Sequence, residues 1–564
     1  MSDSMKKQTF LHGTALLAMA TAMVKIIGAL YKIPLNQIIG EQGFGYFNTA
    51  YQIYNVLLMI STAGLPVAMS RMISQASSIG DYGRVRKIYT VSKTIFLTLG
   101  ILSAGLMFGF SGILAEALGQ PNAQPAIATL APASFLICLM STYRGFFQGQ
   151  RNMIPTSVSQ VLEALIKLIV GIAAAFLLLY YTQSIPLAAG GAIFGVTMSC
   201  LVSSFYLNHC YRKAMKTMPA VEATGSTKEI AKGLLAIAVP ITIGSAGLQL
   251  LTVLETGVYM GQLFDNVDTT MNAQQLLEQM KIYDYTFEDL KKPLEELTRK
   301  ESIQFIIDTQ KGIYDMAITI FNMPCAFITP VTISVIPAIT AQISSGDTQG
   351  AKKTEESAVR VTALIAMPCA IGLAVLAEPV TALLGGYSGK MLALATPLMT
   401  ILGVCIMFNA TVLLTNAIMQ AHGRVNLPVV NMFVGGILKL IAIFILTGNP
   451  HIGIIGTPIG SILCYVTITV LNIITVRKVL PDPPAIVKNM LRALLSALIM
   501  GGVAYGAWCG LKFLGITSRL ILCGAPIAVG GVVYLVMAIV LKAITREDCE
   551  LLPKGDKIAK LLHL

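Results

Sequence analysis

Charge is scarce in this sequence, and the patterns on which most enzymes depend are missing. Charged side chains make up 12% of the 564 residues, about half the share found in soluble domains. The nearest match to an ATP-binding loop, GGYSGKML at 385–392, lacks the first glycine and ends its motif in methionine. The five histidines show no metal-ligand spacing, and no G-x-S-x-G elbow occurs. A soluble enzyme, an ATP-driven pump, a metal centre and a bound cofactor are therefore not expected.

Disulfide and nucleic-acid chemistry also lack a pattern. The ten cysteines include no C-x-x-C pair and lie mostly within apolar segments, where cysteine serves as a small packing residue. The basic residues are scattered over short segments without interleaved aromatic side chains. Nucleic acid is therefore not an expected partner.

Long apolar runs dominate what is present. Hydrophobic residues make up 55% of the chain, and the mean hydropathy is +0.72. An apolar run of about 18 residues or more is long enough to cross the hydrocarbon core of a bilayer. The runs predict an all-α polytopic membrane protein with about fourteen transmembrane helices, at residues 11–33, 45–70, 88–114, 125–147, 154–180, 186–208, 232–260, 312–343, 357–384, 391–419, 427–447, 452–475, 489–511 and 519–542.

The loop charges predict the orientation of these spans. If the N-terminus lies inside, most loop lysines and arginines fall on the inner loops and ends, as the positive-inside rule requires. Both termini are then expected in the cytoplasm. The net charge of +12 is mostly a consequence of this topology, and it favours contact with anionic membrane lipids.

Two stretches of the chain resemble each other. FQGQRNMIPTSVSQVLEALIKLIVGI starts at Phe147 and MQAHGRVNLPVVNMFVGGILKLIAIF starts at Met419, and both pass a glycine, an arginine and a proline before a lysine in mid-span. Those lysines, Lys167 and Lys439, are 272 residues apart. Duplications of this kind are typical of secondary transporters, which bind their substrate between the repeats. A duplicated structural scaffold is the alternative.

The duplication predicts the domain organisation. We expect two homologous six-helix lobes at residues 1–228 and 229–480, followed by two additional transmembrane helices and a cytoplasmic tail at 481–564. Residues 261–311 form a long outer loop that is helix-forming, acidic and amphipathic, and that Pro293 interrupts. We expect an extracytoplasmic helical insertion there, a solvated structural element rather than a lid over substrate.

Four lysines lie inside predicted spans, at Lys25, Lys32, Lys167 and Lys439. A cation deep in a bilayer costs about 3 kcal/mol on insertion scales. Cations that line a wet cavity suit an anionic substrate, and lysine suits phosphate in particular. Two alternatives stay open: Lys32 lies near the outer end of its span and can reach water, and Lys167 follows Glu163 by one turn, so that the two can neutralise each other.

Three acidic residues are candidates for ion coupling or gating. They are Glu163, Glu255 and Asp315. For Glu255 and Asp315, which lie toward the outer side, anchoring at the membrane interface is the alternative. A cavity dominated by such acids would instead favour a cationic drug as substrate.

Four segments carry a family resemblance: GLPVAMSRMIS, QGQRNMIP, GIYDMAITIFNMPCAFITPVTISVIPAIT and AHGRVNLP. They resemble the multidrug/oligosaccharidyl-lipid/polysaccharide (MOP) exporter superfamily, in its branch of stage V sporulation and lipid II flippase proteins. The resemblance implies a flippase of the bacterial cell membrane that moves undecaprenyl-pyrophosphate-linked saccharide to the outer leaflet by alternating access, driven by Na⁺, H⁺ or the membrane potential. It also implies a groove for the lipid tail beside the last two spans, and it aligns Lys25, in KIIG, with a family cation of the first span. The family's cations late in the second span and in the eighth span have no counterpart here.

Other functions stay open at this point. A carrier of another lipid-linked polysaccharide or teichoic-type unit cannot be separated from a lipid II flippase by sequence. A cation-coupled multidrug exporter and a non-transporting scaffold for envelope or spore assembly are the remaining alternatives.

Overall fold

The computed structural model describes residues 3–150, 152–219, 224–283, 293 and 296–543. Within these residues the chain is helical and contains no strand. The α-helices are α1 (Asp3–Ala63), α2 (Leu65–Ser78), α3 (Tyr82–Gly109), α4 (Ser111–Ala117), α5 (Gln124–Gly149), α6 (Ile154–Thr182), α7 (Ile185–Thr217), α8 (Thr227–Thr270), α9 (Ala273–Ile282), α10 (Arg299–Ser344), α11 (Thr348–Val375), α12 (Ala377–Leu384), α13 (Gly389–Ala421), α14 (Asn426–Thr447), α15 (Gly456–Val479), α16 (Ile486–Phe513) and α17 (Arg519–Val540).

Twelve helices of the described residues are long and apolar enough to cross a membrane. They correspond to the predicted spans other than 11–33 and 232–260, which lie on α1 and α8, where several side chains fall outside the description. The prediction of an all-α polytopic membrane protein is confirmed.

The first two predicted spans are joined without a loop. α1 continues from the first span into the second and bends at Gly40, whose backbone angles are φ 67° and ψ 179°. Glycine fits this bend because it has no Cβ to clash at positive φ. The bend lets the two arms of α1 pack on each other, so that Tyr31 of the first arm lies 5.6 Å from Phe47 of the second, ring centre to ring centre.

The chain forms two compact units. The first comprises Met1–Phe264 and Ala273–Gly312. In it α6 packs on α7, and α7 on α5. Gly195 of α7 and Gly171 of α6 bring two helix backbones together, since a Cβ added to Gly195 would lie 2.4 Å from Gly171 Cα.

The second unit comprises Asp265–Asn272 and Ile313–Leu564. In it α11 packs on α13 and α16, α14 packs on α15, and α16 packs on α17. The two units are defined by packing and the predicted lobes by repetition, so the lobe boundaries at 228 and 480 stay a prediction.

The long insertion differs from the expected solvated element. α8 extends to Thr270 and the short α9 follows, with only Leu276 and Met280 of its residues buried. The expected break at Pro293 lies beside residues that the structure does not describe. From 303 to 311, however, α10 is buried inside the first unit, and Asp308 and Lys311 have no exposed surface. The prediction of a solvated insertion is wrong for this part of the chain, because its polar side chains bond to protein rather than to water.

Candidate functional site

A ladder of aromatic rings lines one face of α1 beyond its bend. Phe44, Phe47, Tyr51 and Tyr54 follow at spacings of three and four residues, which places them along one side of a helix. Successive ring centres are 6.2, 5.5 and 5.1 Å apart. Such packed rings hold their neighbours in a fixed geometry.

Lys32 is held against this ladder by its own helix. Its Nζ donates a hydrogen bond to Asn48 Oδ1 at 2.9 Å. The same ammonium lies 5.4 Å from the ring centre of Tyr51 and 6.0 Å from that of Phe44, within cation–π range. Lys32 is half-buried, and these contacts hold its ammonium to the second arm of α1.

Lys167 reaches the same tyrosine from α6. Its Nζ donates to the Tyr51 hydroxyl oxygen at 3.1 Å and lies 5.3 Å from the centre of that ring. It also lies 5.9 Å from the ring centre of Tyr31. Two ammonium groups from different helices therefore meet at Tyr51.

Glu163 takes part in a buried ion pair one turn before Lys167. Arg144 Nη2 lies 2.9 Å from Glu163 Oε2, and the two side chains are only 11% and 19% exposed. The Tyr54 hydroxyl donates to the other carboxylate oxygen at 3.2 Å, and Arg144 Nε donates to Ser159 Oγ at 3.1 Å. Glu163 thus has an arginine as its ion-pair partner, while Lys167 bonds to a phenol.

The other predicted site residues are not all brought to this place. The side chain of Lys25 falls outside the description. Lys439 is half-buried on α14 of the second unit. Glu255 on α8 and Asp315 on α10 are buried, with 7% and 6% of their surface exposed, in the first and second unit respectively. An anchor at the membrane interface would be exposed to water, whereas both of these side chains are buried.

Sequence reasoning missed the partners of the lysines. Asn48 and Tyr51 carry no motif, although the four aromatic residues at helical spacing mark the face on which they lie. Arg144 is buried and paired with Glu163, and no sequence motif marks it.

The second unit contains an apolar groove of about 450 Å³. It lies among α10, α11, α12, α16 and α17, where prolines and glycines leave room between the helices. It is lined by Ile320, Met323, Pro324, Pro368, Cys369, Gly372, Leu373, Leu376, Val380, Leu383, Leu384, Met500, Ala504, Cys523, Pro526, Ile527, Gly530 and Gly531. Its place beside the last two helices is the place where the family resemblance expects a lipid tail.

These features define a polytopic helical membrane protein with two half-buried lysines against a ladder of aromatic rings. Among known families, the model of the Polysaccharide biosynthesis protein family matches residues 10–344, and a second model of the same description matches residues 304–388. Because the first match covers more than half of the chain, the protein belongs to the polysaccharide biosynthesis protein family.

Individual relatives agree with this assignment. The chain is 25% identical to stage V sporulation protein B of Bacillus subtilis (strain 168) over 561 residues, which are 97% of this chain and 98% of that protein. It is 24% identical to lipid II flippase MurJ of the same organism over 448 residues, 76% of each chain. The solved structure of lipid II flippase MurJ in an inward closed conformation has a TM-score of 0.64 at 14% identity, covering 93% of this chain and 98% of that one. The predicted resemblance is confirmed at the level of the polysaccharide biosynthesis protein family, and the MurJ structure shows the same fold.

Proposed function

We propose that this protein is a flippase for a saccharide that is joined to a polyprenyl carrier through a diphosphate. It moves this lipid from the inner to the outer leaflet of the bacterial cell membrane by alternating access, with both of its own termini in the cytoplasm. Its substrates are undecaprenyl-pyrophosphate-linked cell-wall precursors, lipid II or a related unit, and it is a transporter rather than an enzyme. The observation that supports this proposal most is the meeting of Lys32 and Lys167 at Tyr51.

The chemistry of this meeting point favours a diphosphate. Two ammonium groups near one ring repel each other, and each has lost part of its hydration. Their described partners include the neutral oxygens of Asn48 and Tyr51. A phosphate oxygen is a stronger acceptor for an ammonium group than either of these. A ligand with a charge on each of two linked phosphates can accept hydrogen bonds from both ammonium groups at once.

The remaining candidates take supporting roles in this proposal. Lys25 and Lys439 add positive charge on the path of the headgroup. Glu163, Glu255 and Asp315 couple transport to Na⁺ or H⁺ or act in gating. The groove in the second unit takes the polyprenyl chain, because its lining is apolar.

The buried acids Glu255 and Asp315 support one second candidate, a cation-coupled multidrug exporter. In that case the acids bind the drug or its coupling ion. Loss of both lysines would then leave transport intact.

The test is a leaflet-accessibility assay for lipid-linked precursors in cells depleted of the native protein. We expect K32Q and K167Q each to lower flipping about tenfold or more, the effect of removing one member of a buried charge contact. K25Q and K439Q are each expected to abolish complementation of the depleted cells. The matched control is K488Q, since Lys488 is exposed at the start of α16, and it is expected to flip at the native rate.

Two results would contradict the proposal. One is native flipping and growth in the K32Q/K167Q double variant at native expression. The other is equal loss in K488Q and K167Q, which would show that the assay responds to any lost positive charge. Drug export that survives in the double variant would favour the multidrug exporter.

A further inference from the structure

A second polar cluster lies in the first unit, and the proposed transport site does not include it. At its centre is Asp308 of α10, whose side chain is fully buried. Its Oδ1 accepts hydrogen bonds from Gln120 Nε2 and Gln304 Nε2, both at 2.9 Å. Its Oδ2 accepts from the Tyr46 hydroxyl at 2.9 Å. A buried carboxylate with three neutral donors is held in one orientation.

The cluster contacts the second arm of α1 at several points. Besides Tyr46, Thr49 of α1 donates to Gln120 Oε1, and Gln42 Nε2 donates to Thr309 Oγ1 at 3.1 Å. The backbones also touch, since a Cβ added to Gly312 would lie 1.8 Å from the carbonyl oxygen of Glu41. Residues 304–312 therefore hold this arm by directional bonds and by close backbone contact.

The face of α1 that bonds to the Asp308 cluster is opposite to the face that contacts Lys32 and Lys167. A helix turns about 100° per residue, so Gln42, Tyr46 and Thr49 share one side of α1. Asn48 and Tyr51 lie on the other side, about half a turn around the axis from Tyr46. The rotation of this arm about its axis therefore decides whether Asn48 and Tyr51 point at Lys32 and Lys167.

We propose that Asp308 is a positioning residue for the anion site: through Tyr46 and Gln120 it fixes the rotation of residues 41–63 and so places Asn48 and Tyr51 against the two lysines. Directional hydrogen bonds suit this task, because apolar packing alone tolerates small rotations of a helix. The inference rests on the proposed function for its ligand, a diphosphate, whereas the placement rests only on the contacts of α1 with Gln120 and α10.

The first arm of the experiment needs no ligand. Hydrogen exchange is measured by mass spectrometry on the full-length protein in lipid nanodiscs. We expect D308N to raise the exchange of peptides from 41–63 about tenfold, because the local opening energy of that segment falls, while peptides from α6 stay unchanged. Y46F removes one of the three bonds and is expected to act in the same direction with a smaller effect, which keeps the test valid if D308N folds poorly. The matched control is E301Q, an acid-to-amide change on the same helix outside the cluster.

The second arm measures the affinity for inorganic pyrophosphate by calorimetry. D308N is expected to weaken binding about tenfold and Y51F several-fold, the range for a lost hydrogen bond to a charged group. If Asp308 acts through Tyr51, the double variant D308N/Y51F binds no more weakly than D308N alone, since coupled sites are not additive. E301Q is expected to bind like the native protein.

The outcomes separate the two proposals. Unchanged exchange of 41–63 in both D308N and Y46F overturns the positioning role, and so do effects of D308N and Y51F that multiply independently. If the native protein binds no pyrophosphate while D308N still loosens 41–63, the proposed anion site fails and the placement of α1 by Asp308 stands.

Discussion

The two units fill corresponding positions with different chemistry. In the first unit Arg144 on α5 bonds to Ser159 and Glu163 on α6. Moving 272 residues along the chain, the offset of the two span lysines, leads to a second buried network in the second unit. Arg144, Ser159, Glu163 and Cys200 correspond in this way to Asn416, Asn431, Gly435 and Asn472.

The second network is made of neutral amides. Asn472 Nδ2 donates to Asn416 Oδ1 at 2.9 Å and to Thr415 Oγ1 at 2.8 Å, and its own oxygen accepts from Asn431 Nδ2 at 2.8 Å. Amides satisfy one another without a net charge, whereas an arginine in the interior requires a counter-ion. Both units therefore join three helices through a polar contact, but only the first does so with ions.

The comparison of Glu163 with Gly435 shows what a buried carboxylate requires: space between the helices and partners that bond to it. Glu163 has room on α6 because Arg144 and Tyr54 hold it. At its counterpart, Gly435, a Cβ would lie 2.4 Å from Ile468 Cγ1, so α14 and α15 pack where a side chain would stand. The lysine one turn later is common to both units, and its surroundings are not.

The largest effect is expected from breaking the ionic network. R144A leaves Glu163 buried without its arginine, which costs about 3–5 kcal/mol for a pair of this kind. Thermal unfolding of the purified protein, followed by intrinsic fluorescence, measures the loss. The double variant R144Q/E163Q imitates the neutral network of the second unit and is expected to recover at least half of it. If R144A were as stable as the native protein, the ion pair of Arg144 and Glu163 would contribute nothing to the stability of the fold.

A steric change at Gly435 is expected to have an intermediate effect. G435A forces Ile468 or the α14 backbone to move, and overpacking of this type costs about 1–3 kcal/mol. The control is G502A on α16, where an added Cβ meets nothing within 4 Å and helix propensity predicts a gain of about 0.5–1 kcal/mol. Equal behaviour of the two variants in the same unfolding assay would contradict the close packing at Gly435.

The fold class could be predicted from the sequence because each membrane span is recognisable from its own residues. An apolar run of sufficient length predicts a membrane helix without knowledge of its neighbours. The bend at Gly40 was less accessible: helix α1 passes through it without a loop, whereas a glycine between two predicted spans, followed by Glu41 and Gln42, is equally typical of an ordinary loop.

The site was accessible only in part. Lysines in apolar spans are visible at once, but Tyr51 and Lys167 lie 116 residues apart in the chain, and no local pattern joins them. Asp308 was assigned to a solvated insertion because acidic, helix-forming sequence usually faces water. A signal against that assignment was present in Ile303, Ile306 and Ile307, which are spaced to share one face of the helix and are buried.

The smallest effect is expected at an exposed ion pair of the second unit. Lys512 Nζ lies 3.0 Å from Glu378 Oε1, and the side chains are 60% and 39% exposed. Exposed pairs contribute about 0–1 kcal/mol because water and salt screen them, so E378Q is expected to shift unfolding by less than that. E163Q, measured beside it, makes the same chemical change to a buried carboxylate and is expected to cost several times more. If E378Q and E163Q cost the same, burial would not be what distinguishes these two ion pairs, and the stability that Glu163 contributes would need an explanation other than its surroundings.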